Sequence, residues 1–319
     1  MSVEIAKEAD WDTAPSLLDG AMHLEMTHHE CNLRYWLQSV PQGTLRGRLD
    51  GYDPGIEIPE FMRTPGPLYD AITQEYAFRA MAEDKAARGL AYLVPTAPDS
   101  DSMEFYVTQV FDEARHAMVF RNHLVALGTP AEQLGAAMEK FAGEDRVAIL
   151  EPLEEFALRV MRDERDFVGG VVMMTVIIEG ALAPAAELSE RKWRPLDLAA
   201  AEIDRGAGID EIRHLTVGAA VARQYLLDHP QEKARVLDLV AEGMGMWQRL
   251  PVHDMVNRRE NLFQQGLEQQ AGLVGDYEIW PGRRLIDTTP EERQNAADQW
   301  SAEMRDIRLR YMGLEEALT

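Results

Sequence analysis

The chain has 319 residues, 32 of them basic and 55 acidic, for a formal net charge of −23, and a single cysteine, Cys31. That balance excludes a nucleic-acid binder of the usual kind, which needs clustered Lys and Arg to displace phosphate counterions. One thiol also excludes an internal disulfide and a cluster held by several cysteines of the same chain.

In chain order, the stretch from Met1 to Ser16 carries acids and has no basic region followed by an apolar one, so it does not read as a secretory signal; a cytoplasmic location is expected. Helical periodicity predicts a first helix over Ser16 to Gln38, then a Pro- and Gly-bearing loop from Val40 to Pro67. Long helices are predicted over Leu68 to Leu93, Ser102 to Leu127, Pro130 to Met161, Arg165 to Leu188 and Leu196 to Leu227, separated by breakers such as Pro95, Pro98, Gly128 and Pro130. More helix is predicted from Gln231 to Gln270. An irregular stretch around Trp280 and Pro281 follows, then a last helix from Pro290 to Met312 behind the capping sequence Thr288-Thr289-Pro290-Glu291-Glu292. No alternating strand series is visible, so the fold class is all-α. The short connections predict a bundle of antiparallel neighbours, with 1–319 as one domain and 68–228 as its core. The longest apolar run, Phe167 to Pro184, falls short of a span of about 20 residues and contains Glu179, which argues against a membrane helix.

The chemistry concentrates in two matching segments, Asp112-Glu113-Ala114-Arg115-His116 and Asp210-Glu211-Ile212-Arg213-His214. Residues three apart share a helix face, so the Glu and His of each segment can reach one metal together. Glu113 lies on a stripe with Tyr106, Val110, Ala117 and Phe120 and should point inward, where an isolated charge is costly. Two divalent ions would balance four carboxylates, with neutral imidazoles completing the ligand set. The further carboxylates are sought inside apolar stretches upstream of each segment. Glu179 interrupts Val171 to Leu182, 32 positions before Glu211 (211 − 179). Glu83 shares a face with Tyr76, Ala80, Ala87 and Leu90, 30 positions before Glu113 (113 − 83), with Asp84 and Glu75 as alternatives. His28-His29-Glu30 with His23 is a weaker metal candidate, because adjacent residues diverge by about 100° on a helix.

These six residues, Glu83, Glu113, His116, Glu179, Glu211 and His214, resemble the ligand set of the ferritin-like diiron carboxylate superfamily, which includes the ribonucleotide reductase small subunits. The doubled Asp-Glu-x-Arg-His is similar to that of bacterial multicomponent diiron monooxygenases, and length and motif also resemble the valanimycin-type azoxy-forming N-oxygenases. The resemblance implies a ferritin-like bundle with additional helices and two metal ions, iron or manganese, with dioxygen as cosubstrate. It makes Asp112 a partner of His214 and Asp210 a partner of His116; Arg115 and Arg213 are then expected to neutralise the two aspartates. Ribonucleotide reductase small subunits carry a tyrosine one turn after the first ligand His, where this chain has Phe120. Soluble hydrocarbon monooxygenases carry a hydroxyl residue one turn after the glutamate matching Glu179, where this chain has Ala183.

The expected function is therefore oxygenation of a small molecule, by preference at nitrogen, such as hydrazine to azoxy, in natural-product biosynthesis; carbon hydroxylation, desaturation and iron storage are the alternatives. Gly180 and Ala183 are expected to leave space near Glu179, and Gln109, Phe120, Met173 and Val176 to line a substrate pocket. No phosphate loop or dinucleotide fingerprint is present, so electrons are expected from an external donor, a small reductant or the substrate. A homodimer is a further expectation.

Overall fold

The computed structural model describes residues 5–318; Met1 to Glu4 of the segment weighed as a leader, and Thr319, lie outside them. Helix dominates the described residues. The short helices α1 (Leu17–His23), α2 (Leu33–Ser39) and α3 (Glu60–Arg63) precede the long α4 (Pro67–Leu90) and α5 (Ser100–Ala126). Next come α6 (Leu134–Asp145), α7 (Glu151–Leu158), α8 (Phe167–Val172), α9 (Glu179–Trp193) and α10 (Leu198–Asp228). The chain ends with α11 (Lys233–Trp247), α12 (Val252–Gln269), α13 (Ala271–Val274) and α14 (Pro290–Met312).

Side-chain caps set several of the starts. Asp99 accepts from the Ser102 amide at 2.8 Å, Asp197 from Ala200 at 3.1 Å, and Asp166 from Gly169 at 3.0 Å. At α14 the expected cap forms as a reciprocal box between Thr289 and Glu292. Helix α4 packs on α5, α9 on α10, and α5 on α10, while α12 and α6 cover α4, and α14 and α1 cover α9 and α10. The four long central helices therefore enclose the main core, and a second, smaller cluster of Leu17, Ala21, Ala183, Ile212, Leu215 and Met304 joins α1 and α14 to α9 and α10.

Several predicted elements are corrected. The first helix is two, because Thr27 and Glu30 bond to one another and close a turn, and Asn32 then caps α2 through the amides of Arg34 and Tyr35. The loop after it contains a π-helical turn at Val40–Leu45 as well as α3. A break before Pro251 divides the expected helix from Gln231 to Gln270 into α11 and α12. The irregular stretch at Trp280 holds a small antiparallel pair, Glu278–Trp280 (β1) with Arg283–Arg284 (β2).

Two predicted helices carry widened turns. Arg146–Leu150 and Arg159–Asp163 are π-helical and flank α7, whose first turn contains Pro152. Phe167–Trp193 runs as one 27-residue helix with a π-helical turn at Met173–Ile178, immediately before Glu179. Its length and apolarity alone would suit a membrane, but 78% of its most apolar window is buried inside the protein, as in a core helix. Pro184, inside α9, has no amide hydrogen to offer its preceding turn. At Gly180 an added Cβ would lie 2.5 Å from the Thr175 carbonyl oxygen, so the missing side chain accommodates the π turn rather than widening a pocket. Gly→Ala inside a helix ordinarily stabilises by about 1 kcal/mol. Gly180→Ala should instead destabilise the protein by about 1–3 kcal/mol, because the obstructing atom is backbone and cannot swing away; chemical denaturation measures the difference.

Candidate metal centre

The six expected side chains converge. Glu83 projects from α4, Glu113 and His116 from α5, Glu179 from the first turn of α9, and Glu211 and His214 from α10. Ligand atoms of Glu83, Glu113 and His116 lie within 4.8 Å of one another, as do those of Glu113, Glu179 and His214, so Glu113 belongs to both groups. His116 Nδ1 is 3.3 Å from Glu113 Oε2, and His214 Nδ1 is 3.1 Å from Glu113 Oε1. Glu211 Oε1 is 3.5 Å from His214 Nδ1 and 3.8 Å from His116 Nδ1. Two carboxylates thus sit between the imidazoles, with Glu83 and Glu179 on the outer sides.

Of the alternatives to Glu83, Asp84 turns outward to Arg88, at 2.8 Å. Glu75 instead accepts from Ser189 Oγ and, at 3.4 Å, from Trp193 Nε1. The histidines near the N-terminus build no comparable group: His28 and His29 stack with centroids 4.0 Å apart, and His29 binds Asp101 at 2.5 Å.

Behind the imidazoles the aspartates cross over as the resemblance implies. Asp210 Oδ2 is 3.4 Å from His116 Nε2, and Asp112 Oδ2 is 3.4 Å from His214 Nε2. Such contacts leave each Nδ1 facing the carboxylates and fix the ring's orientation. Arg115 donates to Asp210, and Arg213 donates to Asp112 and, at 3.3 Å, to Asp210. Trp36 Nε1 adds a bond to Asp112 at 3.0 Å from α2. Sequence reasoning missed Trp36, and no local pattern marks it, since its partner lies 76 residues away.

Electrostatics favour protons held within the cluster. Burial, and then the charge of Glu113, push the Glu83 carboxyl well above its usual range; burial and then Glu211 do the same to Glu179. Burial works to raise Glu113 as well, but bonds from His116 and His214 outweigh it and hold that carboxyl low. His116 is pushed up to about 10, burial being outweighed by Asp210 and Glu113. His214 is also raised, burial being outweighed by Glu211, Asp112 and Glu113. Glu179 Oε2 and Glu211 Oε2 are buried without a hydrogen-bond partner, and Glu113 Oε1 and His214 Nδ1 face one another at 3.1 Å with no other partner. Unsatisfied acceptors in such a set, four carboxylates and two imidazoles held by aspartates, fit divalent metal ions.

A cavity of about 250 Å³ opens on the carboxylate side and touches Glu83, Glu179 and Glu211. The two histidines and their aspartates take no part in its wall. Of the expected pocket residues only Ala183 lines it. Gln109 instead donates to Glu179 Oε1 at 2.8 Å, and Met173 and Val176 are core. Phe120 packs edge-on to Tyr76 at 4.9 Å and beneath the Arg79 guanidinium at 4.4 Å. The actual wall comes mainly from α4, α7, α9, α12 and α14, including Phe78, Leu153, Ala186, Met255 and Gln294, with Ala207 and Glu211 of α10 and Trp247 of α11.

No family model matches the chain, and no curated protein matches it.

The shifts set a pH dependence for metal-free protein. Glu83 and Glu179, with an ordinary value of 4.5, and the histidines, with 6.5, are all raised, so above those values the folded state holds protons that the unfolded state has released. Glu113 is lowered, and its contribution is complete by pH 4.5. Metal-free protein should therefore lose stability steadily from about pH 5 to about pH 10, and divalent metal should remove most of that slope by replacing the protons. Thermal unfolding across this range, with chelator and with metal, measures it.

Proposed function

We propose that the protein is a ferritin-like diiron oxygenase acting on a small molecule, with nitrogen as the atom oxidised. The observation that carries this reading is the convergence of four glutamates and two histidines, with unmet ligand atoms, beside a cavity. Glu83, Glu113, His116, Glu179, Glu211 and His214 would hold two irons, the histidines through Nδ1, with Glu113 belonging to both groups of ligand atoms. Bound ferrous ions would supply coordination positions and electrons for the reduction of dioxygen.

The chain's own residues contribute orientation and exclusion. Asp112 and Asp210 hold the imidazoles, and Gln109 fixes one oxygen of Glu179. Buried Arg213 closes the histidine side against solvent, so a substrate enters past Glu83 and Glu179. The preference for nitrogen rests on the motif resemblance and on electron balance. A hydrazine, R–NH–NH–R′, with one dioxygen yields an azoxy product and one water; the substrate supplies four electrons and two protons, so no reductase is required. Carbon hydroxylation needs two electrons from a separate donor.

Protein loaded anaerobically with ferrous iron should bind about two irons per chain, as a paired site requires. Glu179→Ala and His214→Ala should each remove most of that iron. Reaction with labelled dioxygen, tried on amines, hydroxylamines and hydrazines beside fatty acids and small aromatics, should place label in an N–O bond. Label confined to C–O bonds would transfer the reading to carbon hydroxylation. Accumulation of many ferric ions per chain would replace it with iron storage, and tight manganese with no iron-dependent oxygen uptake would overturn the iron assignment.

A further inference from the structure

Helix α5 turns one side inward, with Glu113 and His116, and leaves the other in solvent. From Asp101 to Ala126 the exposed residues are Val107, Phe111, Ala114, Met118 and Val125, and all five are apolar. Phe111 remains 54% exposed although Trp36 of α2 meets its ring edge-on at 5.1 Å. Leu33 and Leu37, also exposed, carry the apolar patch onto α2, which packs on α5. The chain is 27% charged and bears a net −23, so a helix face whose exposed positions hold no charge marks a contact surface.

The spacing of this face points to what covers it. With the half-buried Glu104 and Arg121, its residues follow one another at alternating intervals of three and four from 104 to 125, the repeat by which one helix packs along another. The stripe is also its own complement when reversed. Reversal about the midpoint between Asp112 and Glu113 exchanges Glu104 with Arg121, Val107 with Met118 and Phe111 with Ala114. An acid then faces a base, two apolar chains face one another, and the largest ring of the stripe faces its smallest side chain. Within the chain Arg121 has no hydrogen bond or ion pair, although Lys85, Arg88 and Arg146 around the same surface hollow hold Glu154, Asp84 and Glu139. Glu104 accepts the Leu33 amide at 3.3 Å and has no cation.

We propose that two copies of the chain pair through α5, antiparallel across a two-fold axis, with Glu104 against the partner's Arg121 and Phe111 against the partner's Ala114. Such a contact is self-complementary, as a two-fold interface requires. Two chains of this net charge repel one another, so their contact must be electrically neutral, and one acid with one base makes it so. A cationic protein drawn by the overall charge would instead seek a face rich in acids. The stripe from 104 to 125 extends about 32 Å along the helix. No residue of α5 lines the cavity, so the pairing leaves the way to the glutamates open.

Sedimentation of the full-length, metal-free protein over a concentration series should show a species of twice 36.0 kDa. Met118→Glu and, separately, Val107→Glu should each raise the dimer dissociation constant at least about a hundredfold with unchanged circular dichroism; the second serves if the first does not fold. Glu104→Arg and Arg121→Glu should each weaken the dimer about tenfold or more, and the two together should recover most of the loss. Oxidation should link the chains of the double variant Val107→Cys/Met118→Cys. Neither single variant should link, because each cysteine would lie about 16 Å along the axis from its own copy. Cys31 is buried and does not compete. A monomer at every concentration would overturn the pairing and leave the face to a different protein. A dimer that survives both glutamates, a double charge reversal no tighter than the single ones, or linkage through a single cysteine would also overturn it. None of these measurements involves metal or oxygen, so the pairing stands or falls apart from the oxygenase reading.

Discussion

Four glutamates facing one another inside a helical core are the constraint on which the rest of the structure depends. A buried ion costs several kcal/mol after relaxation, and like charges at this separation add to that cost. The surroundings offset it in layers. The imidazoles lie against Glu113 and Glu211, Asp112 and Asp210 lie against the imidazoles, and Arg115 and Arg213 lie against the aspartates. Each layer alternates in its capacity to give or accept a proton, and apart from Nε of Arg115 and of Arg213 the network's unpartnered atoms lie at the centre. The atoms left unsatisfied there are ligand-type atoms, which is why a cation is the fitting complement.

The same constraint shapes the backbone. A regular helix across Met173–Ile178 would bring Glu179 to its face in a different register; the widened turn shifts every later side chain relative to the earlier ones. Gly180 is tied to that turn by its closeness to the Thr175 carbonyl. On the other side of the bundle Glu113 and His116 need no such device, because a regular turn of α5 already aligns residues three apart.

That difference explains what could be read in advance. The two Glu-x-x-His segments are local, and a carboxylate amid an apolar run such as Val171 to Leu182 is conspicuous, so the six convergent residues were legible in the sequence, whereas the crossing of the aspartates was implied only by the family resemblance. Glu83 was separable from Asp84 only by face, and the structure agrees because Asp84 has Arg88 one turn away in solvent. The cavity was not legible. Its wall is assembled from α7, α12 and α14, whose relation to α4 and α9 is set by tertiary packing, whereas Phe120, Met173 and Val176 were placed by closeness in sequence to a ligand. The turn at Thr27 to Cys31 was hidden for a related reason: its residues suit a helix, and only the Thr27–Glu30 bonds and the Asn32 cap divert them.

Trp36 joins an outlying element to the centre. Helix α2 stands outside the four long helices, yet its indole N–H rests on Asp112, which in turn holds His214. A cation bound between the glutamates favours the arrangement of His214 that Asp112 supports, and by linkage it favours the docking of α2 to the same degree that docking favours the cation. Local opening of Leu33–Ser39 and release of a bound metal would therefore share one free-energy balance: the amides of this short helix would exchange with solvent at a rate that reports whether a centre three contacts away is filled.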